Sequence, residues 1–248
     1  MKRLHWFLLF LCLSTALSGQ RNADFGFFGG VSSYIGDINP NRLMYAPRPA
    51  AGIIYRYNLH PRQSIRASIF YGGLRANDID FKNEFQKERK SSFKGTVAEW
   101  ALQFEFNFLP YSTTGKLWDY TPYFAAGAGV AFLNVATSSF VPALPVTAPP
   151  TGRTLMSNET FTYVPVIPFS LGFKVNIYKN MGLEAEYGFR KTFYDNFDGL
   201  KDPVDPSDYG WIHNNDWYSF AGVAVTWKLF TNLVGCPAYE EDNSRRKR

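Results

Sequence analysis

The side chains that could do chemistry in this 248-residue chain are few, and they do not converge. A nucleophile needs a histidine or an equivalent base within hydrogen-bond reach. After the first twenty residues the chain has His60 and His213. His60 precedes Pro61 in an expected tight turn, where it faces solvent. His213 lies in Trp211-Ile212-His213-Asn214-Asn215-Asp216, within an expected loop. No Gly-x-Ser-x-Gly elbow, phosphate loop or His/Cys set at metal spacing occurs. Asp195, Asp198, Asp202, Asp205 and Asp208 could offer oxygens to Ca²⁺, but they lack the EF-hand spacing. An exposed acidic loop is the expectation there. The chain is therefore expected to be no enzyme, with no catalytic, cofactor or metal site and no small-molecule substrate.

A second set of charges is more orderly. Arg56, Arg66, Lys174 and Arg190 match Glu99, Glu105, Glu184 and Glu186 in number, and each sits in a segment of alternating pattern. In Val97 to Phe108, Trp100, Leu102, Phe104, Phe106 and Phe108 alternate with Glu99, Ala101, Gln103, Glu105 and Asn107. Successive side chains of a strand face opposite sides, so this strand has one greasy and one charged face. Gly52 to Leu59, Ser64 to Tyr71, Ile167 to Ile177 and Leu183 to Thr192 repeat the pattern. Asp24 to Tyr34, Tyr120 to Asn134 and Trp217 to Phe230 are strand-like but less cleanly sided. The segments number eight.

The connections alternate in length. Short ones fall near His60 to Arg62, Pro110 to Asp119 and Lys179 to Asn180. Long ones span about Gly36 to Pro47, Arg75 to Thr96, Val135 to Tyr163 and Phe193 to Asn215. Outer-membrane barrels sort their loops this way, whereas a soluble sandwich or lipocalin-like barrel has no reason to. The expected fold is all-β: an eight-stranded antiparallel up-and-down transmembrane barrel. At eight strands the lumen is filled by side chains. The eight inward charges are then expected to pair as a lumen network, because an unpaired buried charge costs several kcal/mol. An even strand count puts both termini on one side.

Composition agrees. Aromatics are 18% of the chain, which membrane-interface girdles would explain. No apolar run after Leu17 is long enough for a spanning helix. Lys2 and Arg3, the apolar stretch Leu4 to Leu17, and Ser18-Gly19 have the layout of a secretory signal. The expected organisation is residues 1–19 signal peptide, 20–230 barrel and 231–248 periplasmic tail. Without Lys2 and Arg3 the formal charge falls from +5 to +3, so nothing in it favours nucleic acid. The Pro-rich run Val141 to Pro150 and the mixed-charge run Lys82 to Lys90 read as solvated loops. After the signal Cys236 is the one cysteine, which excludes an internal disulfide. It pairs with another chain or packs as a small hydrophobe.

Several short pieces appear in order along the chain. They are Tyr34-Ile35-Gly36-Asp37-Ile38, Tyr55-Arg56-Tyr57-Asn58, Asn107-Phe108, Pro122-Tyr123, Gly127-Ala128-Gly129 and Gly172-Phe173-Lys174. Glu186-Tyr187-Gly188-Phe189-Arg190-Lys191-Thr192 with Asp195 follows, then Asn215-Asp216-Trp217-Tyr218, then Cys236-Pro237. In these the chain resembles the PorG-type outer-membrane barrel of the type IX secretion system, a DUF6089-like family. The Pro-rich third loop departs from that pattern. The resemblance implies an accessory, non-enzymatic scaffold in the outer membrane of a Gram-negative bacterium, surrounded by outer-membrane lipids. It also implies association with a periplasmic ring built from a lipoprotein and its partner, while a much larger barrel is the export pore. Cys236, Pro237 and Tyr239 become candidate partner contacts. The alternative is a free-standing adhesin or envelope-stability barrel acting through its long loops.

Overall fold

The computed structural model describes residues 22–36, 39, 42–80, 92–141, 154–193 and 216–229, with the backbone alone for 137–141 and 154–160. The strands are β1 (Ala23–Ile35), β2 (Arg48–His60), β3 (Gln63–Asn77), β4 (Ser92–Asn107), β5 (Tyr120–Val141), β6 (Thr154–Tyr178), β7 (Met181–Thr192) and β8 (Trp217–Lys228). Each pairs antiparallel with its neighbours, and β8 closes on β1.

Closure can be followed residue by residue. From Lys174 on β6 the paired row passes through Glu184, Ala224, Phe28, Gly52, Phe70, Glu99 and Ala131, and returns to β6 at Val164. The offset, 174 minus 164, is ten residues. Ten over eight strands, with about 3.3 Å per residue and about 4.8 Å between strands, sets a tilt of about 40° and a radius of roughly 8 Å. The 12-residue strands β7 and β8 then rise about 30 Å, enough to cross a bilayer core.

The two faces are sorted as alternation requires. Outward positions such as Phe27, Trp100, Leu102, Phe104, Leu171 and Val223 are large, apolar and exposed. Among them, Leu102 is 60% and Leu171 62% exposed. A continuous apolar exterior is stable against hydrocarbon and not against water. This is a transmembrane barrel.

The long connections gather at one end. At the other lie the turns 61–62 and 179–180, the segment 108–119, and both ends of the described barrel, residues 22 and 229. Asn180 adopts φ 63°, a left-handed conformation that asparagine tolerates better than most residues.

Two boundaries differ from the sequence reading. β5 and β6 run on to Val141 and back from Thr154, paired without a break from Gly129–Val166 to Val141–Thr154. The connection expected at 135–163 therefore shrinks to 142–153. Likewise β3 reaches Asn77 and β4 starts at Ser92. Lipid enforces alternation only across its own thickness. Above it, β-branched residues such as Val135, Thr160 and Thr162 still favour strand, but the two-faced pattern fades.

Candidate functional site

All eight charged residues expected to face inward are buried in the lumen. The tertiary structure adds Asp24 on β1 and Lys228 on β8 to this network, and also buries Asp78 and Asp216 next to the long connections. Five cations (Arg56, Arg66, Lys174, Arg190, Lys228) thus meet five anions (Asp24, Glu99, Glu105, Glu184, Glu186).

The set is organised in layers. Nearest the short turns, Arg56 is the hub. Its Nη1 and Nη2 donate to the two oxygens of Glu184, each at 2.7 Å, and its Nε donates to Glu105 at 3.1 Å. Lys174 pairs with Glu105 and donates to Asn107 Oδ1 at 3.2 Å. Lys228 lies 3.4 Å from Asp24, which also accepts from Asn58 at 2.9 Å and Thr113 at 3.0 Å. One step further in, Arg66 forks onto Glu186 at 2.5 and 3.0 Å, and Tyr123 donates to the same carboxylate at 2.7 Å. Higher again, Arg190 Nε is shared between both oxygens of Glu99 at 3.2 Å, and Tyr218 donates to Glu99 at 2.5 Å. The guanidinium of Arg190 lies 4.9 Å from the Phe220 ring and 5.5 Å from Phe70. Among the described residues its Nη atoms have no hydrogen-bond acceptor, and the two rings offer them electron-rich faces.

Described side chains pack at both mouths. Toward the long loops the lumen becomes apolar, with Leu74, Phe93, Val97, Leu133 and Val164 buried together. Tyr34 packs edge-on against Phe93 at 4.7 Å and donates to Asp216 at 2.5 Å. Tyr45 on the first long connection donates to Asp80 and to Asn77 O, the latter at 3.4 Å. Burial, then the bond to Asp80, push its hydroxyl pKa up to about 12. At the opposite mouth Tyr111 and Thr113 are buried, and Asn176 Nδ2 holds Ser112 O at 2.8 Å. The arrangement can bind and orient its own charges, and among the described residues side chains fill the lumen.

Glycines make room for the large lumen side chains. A Cβ on Gly188 would collide with Arg190 Nη1 and Ser170 Oγ. Gly188→Val is expected to destabilise the barrel by about 1–3 kcal/mol through overpacking. The readout is a lower urea midpoint in micelles. Gly29→Ala, at a position with nothing within 4 Å, is the control that should not move.

The face of each of the eight lumen residues was legible from period-two alternation. Asp24 was missed because β1 carries Phe and Gly on both faces. Lys228 was missed because β8 carries no other charge to mark its inward face. Tyr123 and Tyr218 drew no lumen assignment from the sequence, and the closed sheet places both inside. His60 lies in the 60–63 turn, where its Nδ1 accepts from Arg62 N at 3.3 Å. Cys236, Pro237, Tyr239, His213, the 195–208 acidic cluster, the 82–90 charge run and the signal segment lie outside the described residues. Among the described residues no group of three or more His, Cys, Asp or Glu could hold a metal.

The family described as a domain of unknown function (DUF6089) matches residues 2–238. No curated protein matches the chain. Among solved structures the chain is similar to Neisserial surface protein A, at 10% identity and a TM-score of 0.44, over 84% of this chain and 97% of that one. It is also similar to Ail, the attachment invasion locus protein of Yersinia pestis, at 12% identity and a TM-score of 0.41, over 84% and 97%. A third likeness is to a major outer membrane protein from Thermus thermophilus, at 13% identity and a TM-score of 0.44, over 84% and 99%.

Proposed function

The chain belongs to the DUF6089 family, and we propose that it is a non-enzymatic scaffold of the Gram-negative outer membrane, a component of the type IX protein secretion system that contacts the machine's periplasmic ring. The observation that carries this reading is the filled lumen. Five cations and five anions on the strands pair across the lumen, and side chains pack at both mouths, so among the described residues the barrel is filled. A barrel of this kind acts through its rims. The short-turn rim carries both ends of the described barrel and, in this reading, faces the periplasm. The tail 231–248 then extends toward the ring, with Cys236, Pro237 and Tyr239 as its contacts. The partner is supplied by the resemblance in the quoted sequence pieces.

Removing residues 231–248 is expected to release the ring lipoprotein and its partner from the barrel. The measurement is affinity purification from detergent-solubilised outer membrane, with the co-purifying proteins identified. Undiminished association would remove the tail as the contact.

A second reading is a free-standing adhesin or envelope-stability barrel. It is favoured by the β5–β6 hairpin, whose strands of 22 and 25 residues rise well beyond the lipid. Deleting 142–152 separates the two. An adhesin loses binding, whereas a scaffold that works from the periplasmic rim keeps secreting.

A further inference from the structure

Two cations on the outside of the barrel stand where the sheet itself disfavours them. Arg75 and Lys94 are direct cross-strand partners on β3 and β4. Both are exposed, while the alternating neighbours Leu74, Ala76 and Phe93 are buried on the lumen side. Like charges directly opposite in an antiparallel pair repel. Among the described residues neither cation has an ion pair or hydrogen bond to a protein acceptor.

Their height is informative. Moving toward the short turns, the next outward pairs are Gly73–Thr96, Tyr71–Ala98, Ile69–Trp100 and Ala67–Leu102. Arg75 and Lys94 are thus the first charges above the lipid-facing band on these strands. Below them a groove of about 560 Å³ opens on the outer face, lined by Ile53, Ala67, Ile69, Trp100, Ala128 and Val130. Ala67 and Ala128 flank Leu102 in register, so short side chains form a floor between bulky ones. No charged residue lines it.

We propose that this face binds a phosphate-bearing lipid of the leaflet at the long-loop end, with its phosphate between Arg75 and Lys94 and an acyl chain in the groove. The phosphate turns a repulsive pair into two attractive ones. A guanidinium forks onto phosphate oxygens, and an ammonium adds a point charge. The span from Arg75 to Ile69 is six residues, about 20 Å along the strand and about 15 Å in depth at the barrel tilt. That depth is about one leaflet of hydrocarbon. A soluble anion would use the cations and leave the groove empty. A neutral lipid would use the groove and leave the cations repelling. The site does not depend on the secretion reading.

The test is native mass spectrometry of the full mature protein in neutral detergent. The probes are phosphatidylglycerol, bisphosphorylated lipid A, diacylglycerol and inorganic phosphate. Phosphatidylglycerol or lipid A should form a one-to-one adduct at least about tenfold tighter than diacylglycerol or inorganic phosphate. Arg75→Gln with Lys94→Gln should weaken that adduct about tenfold. Ala128→Trp, which fills the groove and leaves the charges in place, should weaken it too. Lys116→Gln at the opposite rim should change nothing. Heat-dependent gel mobility establishes that each variant is folded, and if Ala128→Trp does not fold, the charge variant decides. Three results overturn the site: no adduct with either phospholipid probe, a double variant that binds like the wild type, or diacylglycerol or phosphate binding equally well.

Discussion

Replacing Arg56 by alanine is expected to cost the barrel about 3–5 kcal/mol, the largest effect of any single lumen substitution. Among the described residues Arg56 is the one side chain that touches two carboxylates directly, forking onto Glu184 and donating to Glu105, with Asp24 3.9 Å from its Nη1. Without it, Glu184 keeps one hydroxyl donor, Thr226 at 3.2 Å, and faces Lys174 on β6, whose ammonium is already paired with Glu105. Asp24 retains Lys228, and Glu105 retains Lys174. The loss is therefore mostly one buried carboxylate stripped of its hydrogen-bonded cation, not the net worth of the pair. A double variant makes that distinction. Arg56→Met with Glu184→Met removes one charge of each sign and leaves the remaining lumen balanced. It should recover more than half of what Arg56→Ala loses. Urea titration of protein refolded into vesicles reads both, with Arg62→Ala in the adjoining turn as a surface reference. If Arg56→Ala moves the midpoint no further than Arg62→Ala, the lumen network is not what holds the barrel.

Leu102→Arg is expected to cost about 2–4 kcal/mol in vesicles, although Leu102 is 60% exposed. Leu102 sits on β4 between Ala67 and Ala128, near the middle of the outward apolar band. In water an arginine at so exposed a position is nearly neutral, and in hydrocarbon it must be dragged from its hydration shell. The same substitution at Lys94, to arginine, lies above the band and should change stability little. Equal midpoints for Leu102→Arg and the wild type would mean that the exterior of this barrel does not face lipid.

The two experiments probe opposite faces of the same strands. A charge is tolerated inside because it has a partner, and a leucine is tolerated outside because it has lipid. Alternation along one strand therefore encodes two solvents at once.

That alternation is a local property, and for that reason much of this protein is legible in the chain alone. Which face each of Arg56, Arg66, Glu99, Glu105, Lys174, Glu184, Glu186 and Arg190 takes follows from period two alone. The strand count and the sorting of short and long connections follow from the same pattern. Where lipid stops imposing it, as at 135–141 and 154–163, the strands continue but the sequence no longer announces them.

The partners are another matter. Arg56 and Glu184 are 128 positions apart, and Arg66 and Glu186 are 120 apart. Nothing in either strand says that they will meet. They meet because the sheet closes with an offset of ten residues, which lifts each strand relative to the one across the lumen. Closure likewise brought Asp24 and Lys228 together at the β1–β8 seam, and turned Tyr123 and Tyr218 onto Glu186 and Glu99. The register of β3 on β4 set Arg75 beside Lys94 above a groove. Which residues face lipid and which face the lumen can be read from the chain, because that choice is made one strand at a time. Only the tertiary structure decided which charges neutralise which, because pairing across the lumen depends on the offset at which all eight strands close.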